Sequence, residues 1–162
     1  MQTLNAHIKA YTAQLSKGDI QKAYRGIMDF MSRLRTSLAA RCPAYTVSGL
    51  YTGYMDMTYF AFTPAGLKNR RLKIAVVYLH EQGLFEAWLG GANRKVQAEI
   101  IKHLAGRDTG GYRLSQVSPG VDSILESVLV ENPDFDKPAH LAAQIEEGAL
   151  AFIRGVESLL TM

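Results

Sequence analysis

The stretch LKIAVVYLHEQGLFEAWL, residues 72–89, decides the fold of this 162-residue chain. Every position from Ile74 to Leu79 is apolar, which is typical of a strand that is buried on both faces inside a sheet. The tripeptide EQG then separates this run from a second one, LFEAWL. Two such runs joined by a short turn that contains glycine predict an antiparallel hairpin.

Further strands are predicted upstream of this hairpin. The segments TVSGLYTGY (46–54) and MDMTYFAF (55–62) are rich in β-branched and aromatic residues, with Gly49 and Gly53 as candidate bends. We predict a strand over 51–62 with a carboxylate, Asp56, in its middle. Alternation along that strand assigns one face to the core, namely Tyr51, Met55, Met57, Tyr59 and Ala61.

Helices are predicted on both sides of the strands, from apolar residues at helical spacing. The N-terminal pair covers 4–16 and 20–41, with Asp19 as the N-cap of the second helix. Downstream, we predict a weak strand in YRLSQV (112–117) and helices over 94–105, 119–130 and 138–160, capped by Asn93, Ser118 and Asp136.

This order of elements predicts an α+β fold in a single domain over residues 1–162. Its antiparallel sheet would have four to five strands. The N-terminal helical hairpin and the C-terminal helices would pack mainly on one face of that sheet. The other face of an antiparallel sheet can remain open to water or to a ligand.

The composition is that of a globular protein and argues against the disulfide-stabilised, membrane and secreted classes. Hydrophobic residues make up 48% and charged residues 20%, as in ordinary globular proteins, and the single cysteine excludes an intramolecular disulfide. There is no apolar run long enough for a membrane helix and no secretion-signal pattern at the N-terminus. We therefore expect a cytoplasmic protein without membrane contact. The sequence leaves a monomer and a homodimer both open.

The net charge of +3 is unevenly distributed. Residues 1–71 hold ten Lys/Arg and three acids, whereas residues 72–162 hold eight Lys/Arg and twelve acids. This division indicates two halves that attract each other more than it indicates a basic surface for an anionic partner. A nucleic-acid partner is not favoured, because aromatic residues do not interleave with the basic stripe of the second helix.

A candidate ligand site lies on the predicted sheet. Tyr54 and Asp56 share one face of their strand, and Glu86 and Trp88 share a face of the hairpin. If the register brings them together, two carboxylates between aromatic walls would suit a polar or cationic ligand, or acid–base chemistry. The alternative is that both carboxylates pair with Lys or Arg on the solvent side of the sheet.

A second candidate is the segment LGGANRK, residues 89–95. Glycines after a strand, followed by a helix N-terminus with Asn93 and Arg94, are a plausible seat for an anion. A plain turn and a capped helix explain the same residues, and no phosphate-binding fingerprint is present. We find no catalytic signature and expect neither a metal nor a cofactor.

Several segments resemble a family of small bacterial proteins of unknown function: KGDIQKAYRGIMDFMSRLRT, GYMDMTYFAF, LKIAVVYLHE, LFEAWLGGANRKVQ and GVDSILESVLVENPDFD. The resemblance extends over nearly the whole chain. It implies a single cytosolic bacterial domain and brings no activity or catalytic residue with it.

Three functional hypotheses therefore remain. The first is a domain that binds a small molecule or a partner through a polar and aromatic site on the sheet. The second is a metal-dependent hydrolase or nuclease that uses Asp56 and Glu86, although the lysine expected after such a glutamate is missing. The third is an interaction module whose basic second helix binds an acidic partner or nucleic acid. The sequence does not decide whether the chain is an enzyme.

Overall fold

The computed structural model describes residues 1–161 and has an α+β architecture. Its helices are α1 (Leu4–Lys17), α2 (Asp19–Arg41), α3 (Ala65–Asn69), α4 (Arg94–Leu104) and α5 (Pro138–Leu160). Its strands are β1 (Thr46–Val47), β2 (Met57–Thr63), β3 (Leu72–Leu79), β4 (Leu84–Gly91), β5 (Arg113–Leu114) and β6 (Ser123–Val130).

The strands form one six-stranded antiparallel sheet in the order β1-β2-β3-β4-β6-β5. The predicted hairpin is confirmed: β3 and β4 pair along their whole length, from Leu72 opposite Gly91 to Leu79 opposite Leu84. Gly83 adopts a φ of 68° in the connecting turn, a conformation that glycine accepts without steric cost. The sheet has one or two strands more than we predicted.

One face of the sheet is covered by helices. Met31, Leu34 and Leu38 of α2 are buried together with a long row of α5 residues, and both helices pack on side chains of β2, β3 and β4. Fully buried residues on this side of the strands include Phe60, Phe62, Ile74, Val76, Phe85 and Leu89. Helix α1 differs from the others, because none of its residues is buried.

The predicted helix over 119–130 is wrong, because residues 123–130 form strand β6. Val121, Leu125 and Val128 match a helical stripe by coincidence of spacing. In the structure Leu125 is buried opposite Leu89 of β4, and Val128 is partly exposed on the other side of the sheet. Residues 123–130 form a strand because they pair with both β4 and β5. The spacing of apolar residues within one segment cannot predict pairing with distant strands.

The predicted strand over 51–62 begins six residues later, at Met57. Gly53 and Met55 have φ values of 74° and 65°, which turn the chain and end the alternation. Only an isolated bridge between Tyr51 and Tyr59 continues the pairing upstream. The predicted faces are also inverted, because Thr58, Phe60 and Phe62 are buried under the helices, whereas Met57, Tyr59 and Ala61 are partly exposed.

Three predicted caps are wrong as well, since Ser118 precedes no helix. Gly18, in a left-handed conformation, occupies the N-cap position of α2, and Asp19 is the first helical residue. Lys137 precedes α5 without a side-chain cap, so Asp136 does not cap that helix. Asn93 does cap α4, since its side chain accepts a hydrogen bond from the backbone N–H of Val96 at 2.9 Å.

Candidate ligand-binding site on the open sheet face

The sheet face that points away from α2 and α5 carries a row of outward-facing side chains. Tyr59 of β2 lies opposite Val77 of β3, and Val77 lies opposite Glu86 of β4. One step along, Ala75 of β3 lies opposite Trp88 of β4. Ala75 and Val77 are buried but do not belong to the core beneath the helices, which confirms that they point to the other side.

All of these residues except Glu86 line a pocket of about 260 Å³, which we call the sheet pocket. Its floor contains Ala75 and Val77, and its walls contain Tyr59 and Trp88. The two aromatic side chains stand on strands separated by β3, so their backbones are about 10 Å apart. The small floor residues between them leave a slot that suits a flat, apolar group.

A lysine lies at one end of the sheet pocket. Lys73 of β3 pairs with Gly90 of β4, and a Cβ at Gly90 would stand 3.6 Å from Lys73 Cε. The lysine stem therefore lies across the glycine. Within residues 1–161, the Lys73 ammonium has no carboxylate within salt-bridge distance. It can therefore bind a negatively charged group of a ligand.

The N-terminus of α4 closes the same end. Arg94 forms an ion pair with Asp122 at 3.2 Å and donates a hydrogen bond to the side chain of Gln97 at 3.0 Å. Gln97 is buried and donates to the backbone oxygens of Val121 and Ser123 at 2.8 and 3.1 Å. These bonds connect the rim of the pocket to residues 121–123 at the start of β6.

Trp88 is held in place by a buried carboxylate. Its indole N–H donates to Glu86 Oε1 at 2.8 Å, and Arg113 donates to the same oxygen at 3.0 Å. Arg113 also binds Glu126, and hydrogen bonds from Arg113 to Glu126 and Glu86 raise the pKa of the guanidinium. Glu86 is only 4% exposed, so its role is to orient the tryptophan rather than to contact a ligand.

Tyr54 and Asp56 lie outside this pocket, in the turn before β2. The Asp56 carboxylate accepts a hydrogen bond from the backbone N–H of Tyr54 at 2.9 Å. Hydrogen bonds from the backbone N–H groups of Tyr54 and Met57 lower the pKa of Asp56. Such a turn holds Tyr54 outward, and its side chain is 90% exposed.

Asp56 and Glu86, which the first candidate site would have to bring together, are separated. Asp56 lies beside His80, whose backbone N–H donates to the Asp56 carbonyl oxygen at 3.0 Å, on the β2 side of β3. Glu86 lies on β4, so two strand spacings, about 10 Å, separate them across the sheet. No group of three or more His, Cys, Asp or Glu side chains within the described chain is arranged to hold a metal.

Of the six candidate residues from the sequence, the sheet pocket therefore contains Trp88, Asn93 and Arg94. Glu86 lies beside Trp88 on the same sheet face and holds its indole, while Tyr54 and Asp56 form a separate turn. Sequence reasoning missed Tyr59, because its strand face was assigned to the core. It also missed Lys73, although a lysine next to the apolar run from Ile74 to Leu79 was a visible signal.

The chain belongs to the family described as domain of unknown function (DUF7000), whose model matches residues 4–160. This confirms the resemblance and its extent, and it assigns no activity. No curated protein and no solved structure matches the chain. Among residues 1–161, none of the helices combines the length and hydropathy that a membrane span requires.

Proposed function

For this member of the DUF7000 family we propose a ligand-binding function in which the sheet pocket binds a small organic anion with a flat apolar body. The observation that carries the proposal is Lys73, which has no ion-pair partner among residues 1–161 and lies at the end of a slot between Tyr59 and Trp88. A carboxylate or phosphate would pair with the lysine, and the apolar body would lie over Ala75 and Val77. Binding, without catalysis, is the role that these residues support.

The charge of the pocket supports an anion rather than a cation. Lys73 and Arg94 are its cationic residues, and Asp122 already pairs with Arg94. Glu86, the carboxylate that would attract a cation, is neutralised by Arg113. A cationic ligand would therefore be repelled by Lys73, whose charge has no partner among residues 1–161.

The hypotheses of a metal-dependent hydrolase and of a nucleic-acid-binding module have less support. The first needs Asp56 and Glu86 at one centre, and they stand on opposite sides of β3. The second rests on the basic stripe of α2, in which Asp29 lies between Arg25 and Arg33 and interrupts the positive charge. We also propose the bacterial, cytosolic setting that the family resemblance implies.

The sole tryptophan of the chain, Trp88, makes the proposal directly testable. We would titrate the protein with benzoate, indole-3-carboxylate and phenyl phosphate, and follow tryptophan fluorescence and the melting temperature. At least one of these anions should give a saturable change. The variant Lys73→Met should weaken that binding about tenfold or more, because it removes a charged hydrogen-bond donor.

The matched control is Lys95→Met, which removes an exposed lysine of α4 that does not line the pocket. It should leave binding unchanged. The proposal fails if none of the three anions gives a saturable signal, or if the Lys73 and Lys95 variants bind equally well.

A further inference from the structure

We propose that helix α1 (Leu4–Lys17) is the surface through which two copies of this chain form a dimer. The two α1 helices would run antiparallel, and the copies would be related by a twofold axis, so that the same residues contribute from both sides. The interface is separate from the sheet pocket, which is lined by residues between 57 and 123.

The first observation is a stripe of apolar side chains on α1 that the fold leaves uncovered. Leu4, Ile8 and Tyr11 are 73%, 48% and 56% exposed, and Leu15 is partly exposed. Within residues 1–161, neither the core nor the apolar side chains packed against it include a residue of α1. A contiguous apolar stripe in water is unfavourable and marks an interaction surface.

The second observation is an apolar groove of about 420 Å³ at the C-terminal end of the same stripe, which we call the elbow groove. Its apolar and aromatic lining residues are Tyr11, Leu15, Ile20, Tyr24, Met28 and Met55. Its polar lining residues are Gln21, which donates to the Leu15 carbonyl at 2.8 Å, and Arg25. Arg25 is exposed, so its guanidinium can stay in water at the rim. An apolar side chain of a second molecule can therefore fill the groove.

The third observation is the pattern of residue types around the stripe. Its members recur at intervals of four, three and four residues, as positions d, a, d and a of a heptad repeat do. The flanking e and g positions hold no Lys, Arg, Asp or Glu; they are Asn5, His7, Thr12 and Gln14. Lys9 and Lys17 occupy b and c positions, which point away from such a seam.

These residue types favour a second copy over other occupants. Like charges at e and g would repel each other across a symmetric interface, and α1 has none there. An acidic partner would be matched by basic residues beside the seam, and a membrane surface by a polar face rich in Lys and Arg. The two lysines of α1 supply neither arrangement.

The antiparallel orientation is the one that uses the elbow groove. Pairing the stripes about a point between residues 9 and 10 places Leu4 opposite Leu15 of the partner subunit, and Ile8 opposite Tyr11 of the partner subunit. Leu4 would then fill the groove that Leu15 lines. A parallel pair would place the two Leu4 side chains against each other and leave both grooves empty. The dipoles of antiparallel helices also attract each other.

The proposed interface is small, which sets the expected affinity. Helix α1 has 14 residues and is about 21 Å long. A helix of this length is marginal by itself, and the two groove contacts add apolar area at both ends of the pair. We expect a Kd for the dimer of about 1–100 μM.

The test is sedimentation velocity on the full chain between about 2 and 500 μM, a range that spans this Kd. The mass should rise from that of a monomer to that of a dimer, and the melting temperature should rise with concentration. Ile8→Glu should weaken the dimer at least about fiftyfold, because it buries a charge beside Tyr11 of the partner subunit. At about 2 μM its melting temperature should equal that of wild type, since α1 contributes no core residue within the described chain.

The matched control is Ala13→Glu, which adds the same charge to the same helix at position f, on the side away from the stripe. It should dimerise as wild type does. Lys73→Met should do so as well, so the result does not depend on whether the sheet pocket binds an anion.

The orientation is tested by cross-linking at about 200 μM with a short bismaleimide, in a Cys42→Ser background that removes the native thiol. Leu4→Cys protein mixed with Leu15→Cys protein should form a covalent dimer, whereas each variant alone should not. Cross-linking of Leu4→Cys alone would overturn the antiparallel register.

The proposal is overturned if wild-type protein stays monomeric up to about 500 μM, or if Ile8→Glu and Ala13→Glu dimerise equally well. A third outcome would assign the stripe to a membrane surface instead. In that case monomeric wild-type protein would cosediment with phosphatidylcholine–phosphatidylglycerol vesicles, and Ile8→Glu would not.

Discussion

The two faces of the sheet are built from the same strands and differ in what covers them. On the covered face, Phe62, Val76 and Phe85 are completely buried under α2 and α5. On the open face, Tyr59 and Trp88 are only partly buried and stand around a pocket. One face stabilises the fold by excluding water, and the other retains aromatic surface that a ligand can cover.

This difference is not visible in the side chains alone, because both faces of β3 are apolar from Ile74 to Leu79. Val76 and Val77 are neighbours and both are fully buried, yet only Val76 belongs to the core under the helices. Similar substitutions on the two faces should therefore lower the free energy of unfolding by different amounts.

The largest effect is expected on the covered face. Phe62→Ala should lower the free energy of unfolding by about 3–5 kcal/mol, because it removes a fully buried ring and leaves a cavity between the sheet and the helices. Urea denaturation followed by circular dichroism measures this loss. A change below about 1 kcal/mol would mean that the covered face is not the main source of stability.

A sharper comparison uses the adjacent valines. Val76→Ala should cost roughly 2 kcal/mol, while Val77→Ala should cost about half as much, since it enlarges a pocket that is already open rather than creating a sealed cavity. The same urea experiment on both variants gives the difference. Equal losses would show that the two faces are packed alike.

On the open face, the ion pair between Arg113 and Glu86 can be removed by substituting Arg113. Arg113→Met leaves the buried Glu86 carboxylate without its cation, and we expect a loss of about 1–2 kcal/mol, reduced because the arginine side chain is 57% exposed. Tryptophan fluorescence should change as well, because Glu86 then orients Trp88 less firmly. Lys95→Met, on the exposed side of α4, is the control and should change neither quantity.

The smallest effect is a dependence on pH at the margin of the covered face. Thr58 Oγ1 donates to the Thr52 carbonyl at 2.7 Å, so it must accept from His80 Nε2 at 2.8 Å. Burial lowers the pKa of His80, and the charge of Asp56 opposes this only in part.

Because the folded pKa lies below the unfolded one, the unfolded chain binds the proton more readily. The contribution of His80 to stability is therefore complete above pH 6.5, its ordinary pKa, and declines as the pH falls. The urea midpoint of wild-type protein should decrease between about pH 6.5 and 5 more than that of His80→Gln. Parallel pH profiles for the two proteins would contradict this assignment.

Most helices and the central hairpin were predictable, because their signals are local. Apolar residues at a spacing of 3.6 located α1, α2, α4 and α5 to within two residues, and the run from Ile74 to Leu79 located β3. Strand β6 was mistaken for a helix because its apolar residues also fit a helical stripe. Three of the candidate residues, Trp88, Asn93 and Arg94, line the sheet pocket, whereas Asp56 stabilises a turn; their role in binding stays a prediction.

The sequence alone determined the α+β class, the hairpin and the apolar stripes of α2 and α5, since these follow from the spacing of side chains along a single segment. Only the tertiary structure decided which face of the sheet is covered, that Lys73 lies in a pocket with Trp88, and that Glu86 is paired with Arg113. The reason is that a strand alternates equally well in either orientation. The packing of distant helices and the left-handed turn at Met55 selected one of the two.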